Sequence, residues 1–142
     1  MALSQELIDS YRRTSYTAWH KGEKIVVRVG EICIALEKIL IETGAKEWAF
    51  LTAHNPQSRK QTALRNDQRQ EELLRDLAME KYEFLRGESV ADSAEWPVET
   101  GALVLGITES AALGFAAKYG QAAFVYGAVG ESARLVITDQ SH

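Results

Sequence analysis

The sequence predicts an α+β fold, α/β-like in its alternation, with three main helices packed on a mixed, largely antiparallel β-sheet. Three observations lead to this prediction: hairpin patterns near both termini, helical periodicity between them, and short turn-rich connections. The terminal strand pairs are too close in sequence for crossover helices, which disfavours a purely parallel, doubly wound sheet. We expect residues 1–142 to form a single globular domain.

The first half of the chain alternates helix and strand patterns. Leu7, Ile8 and Tyr11 recur at helical spacing, which predicts a short helix from Ser4 to Arg13. A hairpin is expected over 16–29 with Gly22 in its turn. The remaining elements of this half are a helix over 31–43 and a strand over 47–53.

The second half continues the alternation and ends in a second hairpin. Its predicted elements, in chain order, are a helix over 62–80, a strand over 81–86, a polar loop over 87–98, a strand over 99–107, a helix capped by Thr108 or Ser110 and ending at Tyr119, and a hairpin over 121–138.

Composition narrows the class of protein. Hydrophobic residues make up 46% of the chain and charged residues 25%, which are ordinary globular values. The apolar runs are too short to span a bilayer, and the N-terminus lacks a signal-peptide layout, so we expect a cytoplasmic protein without a membrane partner. Cys33 is the only cysteine, which excludes an intrachain disulfide.

The charge is unevenly distributed. The net charge is −4; residues 1–69 carry eleven Lys/Arg and eight Asp/Glu, whereas residues 70–142 carry five and twelve. This balance disfavours nucleic-acid binding, which depends on a broad basic surface. It leaves room for a local anion site.

The most informative segment is Thr52-Ala53-His54-Asn55-Pro56-Gln57-Ser58, which follows an apolar strand. Polar groups at a strand end are how α/β-type sheets build ligand sites. Pro56 restricts both its own φ and the conformation of Asn55, so the turn is expected to be stiff. Thr52, His54, Asn55 and Ser58 are therefore candidate ligand contacts.

A polar stripe on the helix over 62–80 extends this candidate site. Asn66, Arg69 and Gln70 share a helical face with Leu73 and Leu77, which should face the core. Polar groups on the buried side of a helix need partners. They either line a site or brace the polar loop, and the sequence leaves both readings open.

Positive charge gathers at the start of the same helix, from Arg59, Lys60, Arg65 and Arg69. Helix N-termini and arginine donors both favour anions, which predicts a small anionic or nucleotide-like ligand. The alternative is a solvated basic loop. The chain has no glycine-rich phosphate loop, so a Walker-type nucleotide site is not expected, and the cofactor is left unassigned.

Catalysis is not assigned, and the sequence leaves open whether the protein is an enzyme. Glu99, after Trp96-Pro97-Val98, and His54 are weak catalytic candidates, and Trp96 is a candidate ligand contact. Glu99 could instead accept a hydrogen bond from a ligand or be the salt partner of Arg69 or Arg65, and structural salt pairing is the commoner role for such a residue. No metal site is expected, because no metal-ligand spacing is present. Gln121 ranks low, since parallel strands would place it at the opposite sheet edge.

Several blocks resemble the bacterial domain of unknown function 3293 family. The carrying residues are Tyr16, the Thr52-Ala53-His54-Asn55-Pro56 element with Ser58, Asn66, Trp96-Pro97-Val98-Glu99, and Gly120-Gln121-Ala122. The sequence departs from the pattern at Thr100-Gly101, where similar proteins tend to have serine and a larger apolar residue. The resemblance implies no reaction, cofactor or partner.

Two functional hypotheses follow. The first is a small-ligand site at the Thr52–Ser58 loop and the N-terminus of the helix over 62–80. The second is a noncatalytic protein-interaction or regulatory module, with homo-oligomer formation as one form, anchored by Tyr16, Trp19 and Tyr126.

Overall fold

The fold is described from a computed structural model, which covers residues 4–54, 60–92 and 97–138 of the chain. Its helices are α1 (Gln5–Arg12), α2 (Ile34–Thr43), α3 (Ala63–Met79) and α4 (Glu109–Lys118). Its strands are β1 (Ser15–His20), β2 (Glu23–Val27), β3 (Glu47–Leu51), β4 (Glu83–Val90), β5 (Glu99–Leu105), β6 (Ala123–Ala128) and β7 (Arg134–Ile137).

All seven strands form one sheet, in the order β2-β1-β4-β5-β3-β6-β7. Each neighbouring pair is antiparallel. The predicted α+β class and both terminal hairpins are confirmed. In the first hairpin Lys21 and Gly22 both have positive φ, as a type I′ turn requires.

Helices cover both faces of the sheet. On one face, α3 and α4 bury side chains such as Leu73, Leu77 and Phe115. On the other, Leu36 and Leu40 of α2 pack into a cluster that includes Tyr16 of β1 and Trp48 and Phe50 of β3. The starts of α3 and α4 are determined by neighbouring residues. The side chains of Thr62 and Thr108 act as N-caps, and each accepts a backbone N–H of the first helical turn.

The prediction of a polar loop over 87–98 is wrong for its first four residues. Gly87 to Val90 continue β4, where Gly87 pairs with both Ala18 and Gly101. A β-carbon at Gly87 would lie 2.1 Å from the Thr17 carbonyl oxygen. This glycine therefore permits close strand approach within the sheet and does not mark a turn.

Candidate functional site

The candidate site lies at one edge of the sheet, where the ends of three neighbouring strands meet. Because β5 and β6 both run antiparallel to β3, the C-terminal end of β3 lies beside their N-terminal ends. Thr52 and His54 follow β3, Glu99 opens β5, and Gln121 precedes β6. Residues distant in sequence are thus brought to one edge.

Helix α3 braces the backbone that leaves β3. The side chain of Gln70 accepts a hydrogen bond from the Ala53 N–H at 3.2 Å. Arg69 Nε donates to the Ala53 carbonyl at 3.1 Å, and Arg69 Nη2 donates to the Tyr119 carbonyl at 2.7 Å. The predicted stripe of inward-facing polar residues is therefore present on this helix. The contacts of Arg69 and Gln70 correspond to the alternative in which these residues brace the loop.

Asn66 belongs to the same stripe and is buried in α3. Lys60 and Arg65, two of the cations near the start of α3, are exposed. The guanidinium of Arg69 lies 5.8 Å from the centroid of the Tyr119 ring, where its charge faces the aromatic surface. The predicted anion site at this helix end remains a prediction.

Gln121 completes the brace, and sequence reasoning missed it. Its Nε2 donates to the His54 carbonyl at 2.9 Å and to the Tyr119 carbonyl at 3.3 Å. The low ranking of Gln121 assumed that the two strands run parallel. Because β3 and β6 are antiparallel, the C-terminal end of β3 lies beside the N-terminal end of β6. The signal available in the sequence was Gly120-Gln121-Ala122, one of the blocks that carry the family resemblance.

His54 is held by two threonines. Thr52 Oγ1 donates to the Thr100 carbonyl at 2.7 Å and accepts the His54 N–H at 3.1 Å. The His54 Nε2 and Thr100 Oγ1 atoms are 2.7 Å apart, in hydrogen-bond contact. Burial lowers the pKa of His54, while the negative charge of Asp67 opposes that shift. The imidazole is therefore neutral near neutral pH, so one ring nitrogen can donate a hydrogen bond and the other can accept one.

A cleft of about 100 Å³ lies beside this segment. The register places Tyr16 opposite Ser89 and Ser89 opposite Glu99, so these three residues form a row across β1, β4 and β5. All three line the cleft. Further lining residues come from α1, from β6 and from the end of β3, among them Leu7, Ser10, Tyr11, Phe50, Thr52, His54, Gln121 and Ala123.

The row carries a buried acid and a buried phenol. Glu99 is 9% exposed and Tyr16 is 5% exposed. The Tyr16 hydroxyl donates to the Tyr11 carbonyl at 3.1 Å, which attaches α1 to the sheet. Burial raises the pKa of Tyr16, and the charges of Tyr11 and Glu99 add to this shift. The phenol therefore stays protonated within the cleft.

On the opposite face of the sheet, a wider hollow of about 390 Å³ lies between α3 and the strands β4 and β5. Its lining includes Asp67, Glu71, Arg86 and Thr100. Arg86 lies 3.7 Å from Glu71 in an exposed ion pair. Charges of both signs thus face this hollow, which does not favour an anion.

The predicted site residues divide into three groups. Thr52, His54 and Glu99 line the cleft together. Asn66 and Arg69 lie on α3, and within the described part of the chain they are not among the residues that line it. The predicted contacts Asn55, Ser58 and Trp96 lie outside the described residues.

Two kinds of feature are absent from the described residues. No group of three or more His, Cys, Asp or Glu side chains among them is arranged to hold a metal ion. None of the helices in the described ranges is long and apolar enough to cross a membrane.

An antiparallel seven-stranded sheet with helices on both faces and a braced strand end defines an α+β protein with one edge rich in polar groups. Comparison with protein families then gives its family. The model described as "Protein of unknown function (DUF3293)" matches residues 51–124, and the chain belongs to this family. The matched range runs from the end of β3 through α3, β4, β5 and α4 to the start of β6. Neither curated proteins nor solved structures gave a match to the chain.

Proposed function

We propose that this protein binds a small molecule in the cleft between α1 and the sheet edge. One observation carries the proposal. Tyr16, Ser89 and Glu99 form a row on one face of the sheet, and this row lines a cleft that contains the buried carboxyl group of Glu99. A concave site with a few convergent polar groups and an apolar wall is the usual form of a ligand site. Phe50 and Ala123 supply the apolar wall.

Thr52, His54 and Glu99 are the proposed ligand contacts. The braces from Arg69, Gln70 and Gln121 hold backbone atoms, so we assign them to preorganisation of the site. Asn55, Ser58 and Trp96 remain predicted contacts. No reaction is assigned to Glu99 or His54.

The cavity volume limits how much of a ligand can enter. A cavity of about 150 Å³ holds a benzene ring, so about 100 Å³ accepts a smaller group or the tip of a larger molecule. For a nucleotide-like ligand we expect the N–H donors of the base to face Glu99. Its phosphate would lie outside the cleft, towards the exposed Lys60 and Arg65.

The experiment combines a ligand screen with a variant that fills the cleft. Thermal shift is measured with amines, guanidines, alcohols, carboxylates, nucleosides and nucleotides, because a ligand that binds the folded state raises Tm. Ser10→Leu places a larger side chain at the cleft wall on α1. Ser110→Leu is the matched control, since Ser110 is an exposed residue of α4 that does not line the cleft.

We expect at least one class to raise the Tm of the parent and of Ser110→Leu, and the shift to be lost in Ser10→Leu. A shift that persists in Ser10→Leu places the ligand elsewhere and contradicts the proposal. The absence of a shift from every class contradicts it as well.

A protein-interaction module is the second candidate, favoured by one surface. Trp19 and Val26 are 42% and 44% exposed and share a sheet face on β1 and the edge strand β2. Tyr16 and Tyr126, the other proposed anchors, are buried. If this surface joins two copies, sedimentation velocity will show a dimer in the parent and a monomer in Trp19→Lys. A monomeric parent contradicts self-association.

A further inference from the structure

We infer that Thr100 and His54 form a nucleophile–base pair that opens onto the hollow between α3 and the strands β4 and β5, and that this pair hydrolyses carboxylic esters. The inference goes beyond the proposed function, which assigns His54 to the cleft as a ligand contact. It concerns the Nε2 atom of His54 and the opposite face of the sheet.

The distance between the two side chains is the first support. Thr100 Oγ1 and His54 Nε2 lie 2.7 Å apart. A base can take the proton of a hydroxyl group across about 2.6–3.2 Å. Thr100 is exposed and lines the hollow, whereas His54 is only 7% exposed. A substrate in the hollow can therefore reach the hydroxyl group, with the imidazole behind it.

The base is held in position through its main chain. The His54 N–H donates to Thr52 Oγ1 at 3.1 Å, and the His54 carbonyl accepts a hydrogen bond from Gln121 Nε2 at 2.9 Å. Thr52 Oγ1 in turn donates to the Thr100 carbonyl at 2.7 Å, so Thr52 joins the main chains of the base and the nucleophile. A pair that is fixed in this way needs little reorganisation before reaction.

The protonation state of the imidazole suits a base. Burial lowers the pKa of His54, so the ring is neutral near neutral pH. In the tautomer that carries its proton on Nδ1, Nε2 is the acceptor of the Thr100 hydroxyl proton. The negative charge of Asp67 acts on this pKa in the opposite direction. Asp67 therefore stabilises the imidazolium that forms when the ring takes a proton.

The hollow sets the class of substrate. Its volume of about 390 Å³ lies within the range of about 300–1,000 Å³ that is usual for small-molecule sites. Its lining includes the acidic Asp67 and Glu71 and the basic Arg86, which is paired with Glu71. Glu88 adds an acidic side chain directly opposite Thr100 in the register of β4 and β5. These surroundings disfavour a phosphate and suit an uncharged ester.

The reaction has two halves. In the first, Thr100 Oγ1 forms a bond to the carbonyl carbon of the ester, and its proton passes to His54 Nε2. The bond between that carbon and the alcohol oxygen breaks, and the alcohol leaves with the proton from Nε2. In the second, the oxygen of a water molecule attacks the acyl-threonine while Nε2 takes a proton from the water. The bond to Oγ1 breaks, the proton returns to Oγ1, and the carboxylic acid is released.

The test follows hydrolysis of p-nitrophenyl acetate, an uncharged ester, by the full-length protein at neutral pH. Thr100→Val removes the hydroxyl group while keeping the branched shape, and His54→Gln removes the base. We expect each variant to lower kcat/KM at least about a hundredfold, because a positioned base typically contributes about 10²–10⁴-fold. Thr100→Ser keeps the hydroxyl group and should stay within about tenfold of the parent.

A second readout identifies the nucleophile. In the parent, mass spectrometry of the quenched reaction should find an acetyl group on Thr100, which a purely structural hydrogen bond would not produce. His20→Gln and Ser110→Ala are the matched controls for acetylation at other side chains. Neither residue is among the described residues that line the hollow, and both variants should react at the rate of the parent. p-Nitrophenyl phosphate has the same leaving group but is an anion, so the parent should not hydrolyse it above the buffer rate.

Several results would overturn the inference. They are a Thr100→Val protein as fast as the parent, an acetyl group found only on other residues, a parent no faster than buffer, and phosphate hydrolysis as fast as acetate hydrolysis. Should His54→Gln fail to fold, the Thr100 variants still decide the question.

Ser10→Leu separates this inference from the proposed function, because it fills the cleft and does not touch the lining of the hollow. Hydrolysis that persists in Ser10→Leu supports a reaction in the hollow. Hydrolysis that is lost in Ser10→Leu belongs to the cleft and overturns the inference. If no screened class binds the parent but hydrolysis depends on Thr100, the proposed function fails and this inference stands.

Discussion

Replacing Gly101 by alanine tests the packing that forms the wall of the cleft. The Phe50 ring of β3 lies over Gly101 of β5. A β-carbon on Gly101 would lie 2.5 Å from Phe50 Cε1, 2.7 Å from Cζ and 2.9 Å from the Leu51 carbonyl oxygen. The ring would have to move away, or the two strands would have to separate.

The size of the effect follows from these distances. Carbon atoms pack best at about 3.5–4.0 Å, so the ring must move by about 1 Å. Overpacking of this kind costs about 1–3 kcal/mol. Alanine returns about 0.5–1 kcal/mol, because it loses less conformational entropy on folding than glycine. The contact with the Leu51 backbone places the overpacking cost in the upper part of its range, at about 2–3 kcal/mol. We therefore expect Gly101→Ala to lower the free energy of unfolding by about 1–2.5 kcal/mol.

Urea denaturation measures this free energy, and Gly114→Ala is the control. A β-carbon on Gly114, which lies in α4, meets nothing within 4 Å. This substitution should raise the free energy of unfolding by about 0.5–1 kcal/mol, because alanine is the better helix former. A Gly101→Ala protein as stable as the parent would refute the packing argument. So would an undiminished cost in a Phe50→Leu background, since two of the three close contacts are with the aromatic ring.

Two further predictions concern the brace and the buried imidazole. Arg69→Ala should lower the free energy of unfolding by about 1–3 kcal/mol, because the Ala53 and Tyr119 carbonyls lose their guanidinium donor; in urea denaturation the exposed Arg75→Ala should change little, and equal losses would contradict the assignment. Because burial lowers the pKa of His54 below 6.5, the unfolded chain takes up the proton first, and stability should fall as pH drops below about 6.5; this loss should be smaller in His54→Gln, and identical pH profiles would contradict it.

The parts of the fold that depend on short segments could be predicted from the sequence. Gly22 marks the first hairpin, and Thr62 and Thr108 mark the starts of α3 and α4 through their own hydroxyl groups. These signals act within a few residues, so one segment contains all the information. The order of the strands in the sheet depends on contacts between distant segments, so no single segment contains the information for it.

The misread β4 shows why long-range contacts escape such reasoning. Gly87 looks like a turn residue, but it is required because Thr17 and Phe50 approach it from two other strands. Neither neighbour is near it in sequence. A glycine that permits close packing and a glycine that permits a turn are identical in the sequence alone.

The candidate site could be predicted only in part, because its assembly also depends on contacts between segments that are distant in sequence. Thr52, His54 and Glu99 line the cleft, and the sequence singled them out as candidates because each lies next to a strand end, which the apolar pattern shows. Gln121 was missed because its position depends on strand direction, which only pairing decides. The contribution of Tyr11 was missed because nothing in the short helix α1 shows which part of the sheet it meets.

The bracing contacts at the end of β3 have a consequence for how this protein can diverge. Arg69 and Gln121 bind main-chain oxygens of Ala53, His54 and Tyr119, which every amino acid provides. Substitution at position 54 therefore leaves the path of the chain intact while changing the chemistry presented there. Related chains can therefore keep the same main-chain frame while the side chain at position 54 differs.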